Sequence, residues 1–400
     1  MNRTFAAVAA LVAACSVVGA AWTPSARTAL LEQAKEITTA AAAQAAVKQL
    51  SSLDHPVRTE AARALRRAAA EIVVPALAAA VRTDPDEYVR YRALTLLSAF
   101  PGAIPGEVMR DIRTDRNDRL RMVAYGWYED HPDPAILPAL IEGFQKEQSE
   151  FVRPALTRAL AAQSKDPRAR DVLAPTVLRG ADFFRGAVIE ALGDYGGTFA
   201  IQDIKSVALL DGPLQDDAIT ALGRLKDATM VPVLAGLQRT AKPHIQPTIS
   251  AALCLLGREC DATETYLKEA LEFAAESGGQ QPLLRSAAHG ASLLAVDGRK
   301  GALRALFDVG AKAKNDSLRA PVALAIGVVA LRQPMMILEM VETRPDAKAV
   351  LGLLQDAFDM LSEDFKEEQF FAAIRKAHWE APADSPRRRA AESLIQALEF

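Results

Sequence analysis

The chain has 400 residues, half of them hydrophobic but only 6% aromatic, and a formal net charge of −3 from 47 basic and 50 acidic side chains. Basic and acidic residues are interspersed, so there is no clustered basic footprint for a nucleic acid and no charge block of the length that marks a disordered tail. Ala and Leu dominate, which favours helices and argues against a β-rich fold.

The first segment reads as targeting rather than fold. Met1-Asn2-Arg3 precedes an almost unbroken apolar run from Thr4 to Trp22, with small residues at Val18-Gly19-Ala20-Ala21. A short positive start, an apolar stretch and a small-residue cleavage site make a secretory signal peptide over residues 1–21. A rival lies inside it, because Val12-Ala13-Ala14-Cys15 has the form of a lipobox whose Cys15 would carry lipid. An uncleaved anchor is the weakest of the three, since so short and Ala-rich a run barely spans a bilayer. Each reading places the protein outside the cytoplasm, as a periplasmic protein that is free, tethered by lipid or held by an uncleaved anchor.

Residues 26–50 form a helix-prone, Ala-rich leader. A repeated pattern then begins at Val57-Arg58 and returns at Val89-Arg90, Leu120-Arg121, Val152-Arg153, Phe184-Arg185, Leu214-Gln215, Thr248-Ile249, Leu284-Arg285 and Leu318-Arg319. Successive starts are 30 to 36 residues apart, the period of a helical solenoid. Within a unit the fifth residue is apolar and often small (Ala61, Ala93, Ala124, Ala218) and the ninth is large (Leu65, Leu97, Leu160, Leu222). Positions spaced i, i+4 and i+8 share one face of a helix.

Punctuation agrees with that pattern. Asp54, Asp86, Asn117 or Asp118, Ser149, Asp182 and Asn315 precede the starts as capping residues. Gly193, Gly223, Gly257 and Gly327 follow the ninth position, where the spacing predicts helix C-terminal stops. A partner helix is marked by Val74-Pro75-Ala76-Leu77, Leu137-Pro138-Ala139-Leu140 and Val231-Pro232-Val233-Leu234, with proline expected in the first helical turn.

Units of this kind, a V-P-x-L helix, an acidic turn and a V-R-x-x-A-x-x-x-L helix, resemble HEAT repeats. The short form is similar to the HEAT-like repeats of phycobilisome lyases. The resemblance covers about residues 51–340 and implies an all-α, right-handed α-solenoid of about nine helical hairpins. Residues 341–400 break the period, but Ala347 to Met360, Glu363 to Ala377 and Pro386 to Leu398 still read as amphipathic helices. They are expected to form the terminal cap a solenoid needs.

Three groups of residues invite a functional reading. Arg58, Arg90, Arg121, Arg153, Arg185, Arg285 and Arg319 form a column. It could bind anions, but the HEAT resemblance favours a structural ladder in which each arginine pairs with an acidic turn residue of a neighbouring unit, with Asp86, Asp118, Glu150 and Asp182 present to do this. Tyr88, Tyr91, Tyr125, Trp127 and Tyr128 crowd into units two and three in an otherwise aromatic-poor chain. Tyr91 takes a position that is polar elsewhere and is expected to point outward, so this cluster is the candidate partner-binding patch. Cys254 and Cys260 are six apart, and an oxidising compartment would make them a structural disulfide.

Nothing in the sequence assembles chemistry. Its five histidines are scattered, and there is no H-E-x-x-H, G-x-S-x-G, Walker loop or G-x-G-x-x-G. No catalytic, cofactor or metal site is expected. The expected function is a non-catalytic exported scaffold or adaptor that holds another envelope protein on its concave face, with no nucleic-acid partner. The alternatives are a lipid-tethered subunit of an envelope complex and, from the lyase resemblance alone, a bilin-lyase-like enzyme.

Overall fold

The computed structural model describes residues 37–400 apart from Gly278, 362–363 and 399–400. The signal peptide, Cys15 and the first part of the leader lie outside the described residues. Two compact units divide between Val73 and Val74, and the described residues contain helices and no strands.

In the first unit, α1 (Ala40–Gln49) packs on α2 (His55–Arg67). Thr39 caps α1 by accepting from the Ala42 amide. Helix α2 buries Ala61, Ala62 and Leu65, the fifth, sixth and ninth residues of the first repeat. Arg58 donates to the Ser52 carbonyl at 2.6 Å.

Helix α3 (Ala70–Thr83) carries the chain across the division. Pro75 lies inside α3 rather than in its first turn, unlike Pro138 and Pro232, which open their helices. The second unit then runs α4 (Glu87–Leu97), α5 (Ala103–Ile112), α6 (Asp118–Asp130), α7 (Leu137–Lys146), α8 (Arg153–Ala161), α9 (Pro167–Leu178) and α10 (Asp182–Asp194). It continues through α11 (Ile201–Ala208), α12 (Gln215–Arg224), α13 (Val231–Gln238), α14 (Gln246–Leu255), α15 (Cys260–Glu276) and α16 (Gln281–Val296). The last six helices are α17 (Lys300–Lys312), α18 (Asp316–Arg332), α19 (Pro334–Thr343), α20 (Ala347–Met360), α21 (Asp364–Glu380) and α22 (Pro386–Ala397).

From α4 to α20 each even-numbered helix packs on the next even-numbered one, making a continuous inner layer, while odd-numbered helices back it. The inner helices are hidden on most sides: α8 buries Ala155, Leu156, Thr157, Ala159, Leu160 and Ala161, and every residue of α14 from Pro247 to Leu255 is buried. Their small residues permit this. A Cβ on Gly193 would lie 2.9 Å from the Ala221 Cα, and one on Gly223 would lie 2.8 Å from the Ala252 Cα. These two glycines and Gly327 sit inside α10, α12 and α18, so they are close-approach points and not the stops their spacing predicts. Gly257, at φ +81°, does follow the end of α14.

The arginine ladder is built differently from the expectation. From Arg58 to Arg185 its constant feature is a backbone carbonyl left over at the preceding turn or helix end, where the last carbonyls have no helical partner. Arg90 Nε donates to Val81 O (2.8 Å), Arg121 Nη1 to Asp115 O (2.7 Å), Arg153 Nη1 to Glu147 O (3.1 Å) and Arg185 Nε to Val177 O (3.0 Å). Carboxylates are added case by case. Arg90 pairs with Asp115 (2.5 Å), Arg121 grips both oxygens of Glu147 (2.9 and 3.1 Å), and Arg319 pairs with Asp356. Asp118 and Asp182 serve the arginine three residues along in their own unit, at 2.7 and 2.8 Å. Asp86 is no ladder partner: it caps α4, accepting from the Tyr88 amide. Arg153 has aromatic neighbours, its guanidinium carbon lying 3.9 Å from the Phe184 ring centroid and 4.9 Å from that of Phe144.

That rule also corrects the register of the seventh repeat. Gln215 takes the arginine position in the sixth unit and donates to Ala208 O at 3.1 Å. Gln246 makes the equivalent bonds to Gln238 O (2.7 Å) and Ala241 O (2.9 Å). The seventh unit therefore starts at Ile245-Gln246, three residues before Thr248, with α14 beginning at Gln246 as α12 begins at Gln215.

Candidate partner-binding site

The inner helices run side by side, so their C-terminal ends share one edge of the layer and their N-terminal turns the other. The C-terminal edge is cross-tied by polar side chains from repeats far apart in sequence. Glu129, at the end of α6, has a carboxylate only 6% exposed that accepts from Arg158 Nε of α8 (3.2 Å) and the Tyr195 hydroxyl after α10 (2.6 Å). Lys366 of α21 completes the set at 3.2 Å from Glu129 and 3.5 Å from Asp130, and Gln369 also donates to Asp130. Burial and the Glu129 charge both raise the Tyr195 phenol above its ordinary pKa, so it stays a donor.

Further along, Asp194 accepts from Arg224 (2.8 Å) and from Arg332 of α18 (2.7 Å). The Thr220 hydroxyl meets His289 Nε2 at 2.9 Å, and Lys226 meets Asp297 at 3.0 Å. Burial, reinforced by Arg224, drives the His289 pKa down to about 4, so the ring is neutral at pH 7. Cations at these ends also suit the negative pole of each helix. Much of the inner surface that could have held a partner is thus occupied by the chain's own contacts.

A cavity of about 280 Å³ remains between α6, α8 and the α20–α21 junction. Its walls include Met122, Gly126, Pro154, Ala155 and Leu361, its floor is the Glu129–Arg158–Lys366 set, and its mouth carries Phe151 and Met360. Phe151 is 71% exposed and Met360 41% exposed. Ligand and cofactor pockets usually begin near 300 Å³, so this volume suits one or two side chains of a protein partner. The floor groups are engaged with one another, whereas the mouth is uncovered and sets Phe151 and Met360 beside the exposed Glu150. That division is what an anchor pocket requires.

The aromatic cluster expected from the sequence does not form such a surface. Tyr91, Tyr125 and Tyr128 are 7%, 3% and 2% exposed. They fill the contact of the α4 and α6 layer with its neighbours, and the Tyr125 hydroxyl donates to Arg113 O (3.1 Å). Trp127 is half-buried and stacked on His131 at 4.1 Å between ring centroids. Only Tyr88, 42% exposed, faces solvent. In a helix packed on several sides, the third position of the repeat is as deep as the fifth, and this is why Tyr91 points inward.

Cys254 ends the buried run of α14 and Cys260 opens α15, with their sulfurs bonded at 2.11 Å. The turn between them is shaped by Gly257 and by Glu259 at φ +48°. Among the described residues no cluster of His, Cys, Asp and Glu is placed to hold a metal ion, and no single helix is long and apolar enough to cross a membrane.

The residues that matter here left a faint trace in the sequence. Phe151 and Phe183 occupy the position before a repeat start, where a solvated turn would ordinarily be polar. The Glu129 network left none, since its members come from three separate helices and the residue that follows a fourth.

No protein-family profile and no curated protein matches the sequence. Among solved structures the chain is similar to YibA of E. coli, with 18% identity over 54% of this chain and 81% of that one, at a TM-score of 0.39. It is also similar to importin β, with 12% identity over 88% of this chain and 57% of that one (TM-score 0.36), and to yeast importin-β Kap95p, with 14% identity over 90% and 56% (TM-score 0.40). The chain spans under two thirds of the length of those two importins. The helical-repeat fold itself stands on this chain's own stacked helices.

Proposed function

We propose that the protein is a non-catalytic scaffold or adaptor of the cell envelope that anchors another protein at the cavity beside α8. The observation that carries this is the exposed Phe151 at the mouth of an apolar-walled cavity whose charged floor is already saturated. A phenyl ring left 71% exposed loses the stabilisation that burial gives an apolar side chain, and a partner's side chain would restore it. Export is supported by the Thr4–Trp22 segment and by the Cys254–Cys260 bond, which suits an oxidising compartment. The lyase likeness rests on repeat length alone and supplies no residue with a chemical role.

The test is site-directed photo-crosslinking in cells with the probe residue at Met360, followed by mass spectrometry. A dominant envelope protein, lost in Phe151→Ala while the helical melting curve is unchanged, is the expected result. Crosslinks that survive Phe151→Ala at full yield would show that this cavity is not the anchor. The intact mass of the mature protein decides between a free N-terminus near Ala21 and a lipid on Cys15.

A further inference from the structure

The N-terminal edge of the inner layer carries a second pattern in register with the repeat. At the second to fifth starts the two preceding residues are Glu87-Tyr88 on α4, Asp118-Arg119 on α6, Glu150-Phe151 before α8 and Asp182-Phe183 on α10, whereas the other five starts carry no acid–aromatic pair. Three of the four are an acidic residue followed by an aromatic one. Tyr88, Phe151 and Phe183 are 42%, 71% and 49% exposed. Glu150 is exposed as well, and the Glu87 and Asp182 carboxyls are about half exposed.

An acidic residue in the first turn of a helix has a purely structural reason, the favourable interaction with the helix dipole. That reason accounts for the acids; Phe183 meets Phe184 edge-on at 5.6 Å between ring centroids, but the dipole gives no account of Phe151, whose ring stands largely in water. Neighbouring turns are about 8–10 Å apart, the spacing of packed helices. An extended segment in the polyproline-II conformation has three residues per turn and rises about 3.1 Å per residue, so every third residue faces the same side and meets a successive turn. Arg119 and Arg116 interrupt the acidic run at α6, where Arg119 lies 5.7 Å from the Tyr91 ring centroid.

We propose that this edge, centred on Glu150-Phe151 and Asp182-Phe183, docks an extended segment of the partner protein in which apolar residues recur every third position with lysine or arginine between them. The inference deepens the scaffold reading and rests on it. Apolar side chains of the segment cover Phe151 and Phe183, and its cations lie chiefly against Glu150, since Asp182 is already paired with Arg185 at 2.8 Å and offers only its exposed half. Phe151 belongs to both the edge and the cavity mouth, so the segment enters the cavity at that point. The α6 turn, with its two arginines, contributes least.

A labelled nine-residue peptide with leucine at every third position and lysine at the others, titrated against the full chain by fluorescence anisotropy, provides the probe. Its controls replace lysine by glutamate, or leucine by serine. Saturable binding is expected, at least tenfold weaker for either control, and at least fivefold weaker for Glu150→Lys and for Phe151→Ala with Phe183→Ala. Binding should also weaken as salt is raised. Absence of binding, equal binding of the glutamate peptide, or binding unaffected by Glu150→Lys overturns the proposal. Glu150→Lys alters an exposed residue, so it reports even where the double variant folds poorly. A partner crosslinked from Met360 at full yield in Glu150→Lys would leave the scaffold reading standing and remove the docking strip, whereas no partner at all would remove both.

Discussion

Removing the Glu129 carboxylate tests the idea that buried polar contacts between distant repeats hold the inner layer together. Glu129→Ala takes away the shared acceptor of Arg158, Lys366 and Tyr195, whose contacts are 3.2, 3.2 and 2.6 Å long. Both cations have side chains only 18% exposed, so neither is readily rehydrated. Breaking a buried pair by deleting one partner costs about 3–5 kcal/mol, because the remaining charge keeps its desolvation without its attraction. Glu129→Gln keeps an acceptor and the shape, and about 2 kcal/mol is expected. Urea unfolding followed by far-UV circular dichroism measures both. Hydrogen exchange should show α21 losing protection first, since Lys366 then holds the end of α6 only through Asp130, together with Gln369. The control is Glu142→Ala, which breaks the exposed pair with Lys146 and should leave the midpoint where it was. A loss below about 1 kcal/mol in Glu129→Ala would refute the reasoning, because the network would then be worth no more than a surface pair.

Three further outcomes follow from other parts of the layer. His289 is neutral in the folded protein with a pKa of about 4, against 6.5 for the free side chain. The unfolded chain therefore binds the extra proton first, and stability is full above pH ~6.5 and is lost as pH falls towards 4. Between pH 7 and pH 5 the loss should be about 2 kcal/mol, and His289→Gln should flatten it, as urea midpoints at the two pH values will show. Gly223→Ala places a methyl 2.8 Å from the Ala252 backbone and should cost about 1–3 kcal/mol, while Gly212→Ala, with nothing within 4 Å, should be neutral or slightly stabilising in the same thermal melt. Reducing Cys254–Cys260, which closes a turn of six residues, should lower stability by about 2 kcal/mol; the double alanine variant should show no response to reductant.

Much of the architecture was legible because it depends on local spacing. Eight repeat starts fall within a residue or a few of an inner helix N-terminus, the first falls as close to that of α2 in the first unit, and the three helices expected after residue 340 begin at Ala347, Asp364 and Pro386. The failures share a cause as well. Thr248-Ile249 reads as a start because Leu256-Gly257 then matches the end of a repeat, while glutamine, which serves a backbone carbonyl as well as arginine does, hides the start at Ile245-Gln246. Gly193 and Gly223 read as stops because a glycine that ends a helix and one that admits a neighbouring helix look alike along the chain. Tyr91 read as exposed because an isolated amphipathic helix has one buried face, whereas an inner helix of a stack is covered on several.

By itself the sequence determined which segments are helices, which face of each is apolar and how often the unit recurs, since those properties are set by residues within a turn or two of one another. Tertiary structure alone decided that Glu129, Tyr195 and Lys366 meet, that the C-terminal edge of the inner layer is cross-tied, and that Phe151 and Phe183 are left uncovered on the other. The small rotation between successive repeats adds up along a stack, and no single repeat records the sum. Which edge closes and which stays open therefore becomes visible only when the helices are in place.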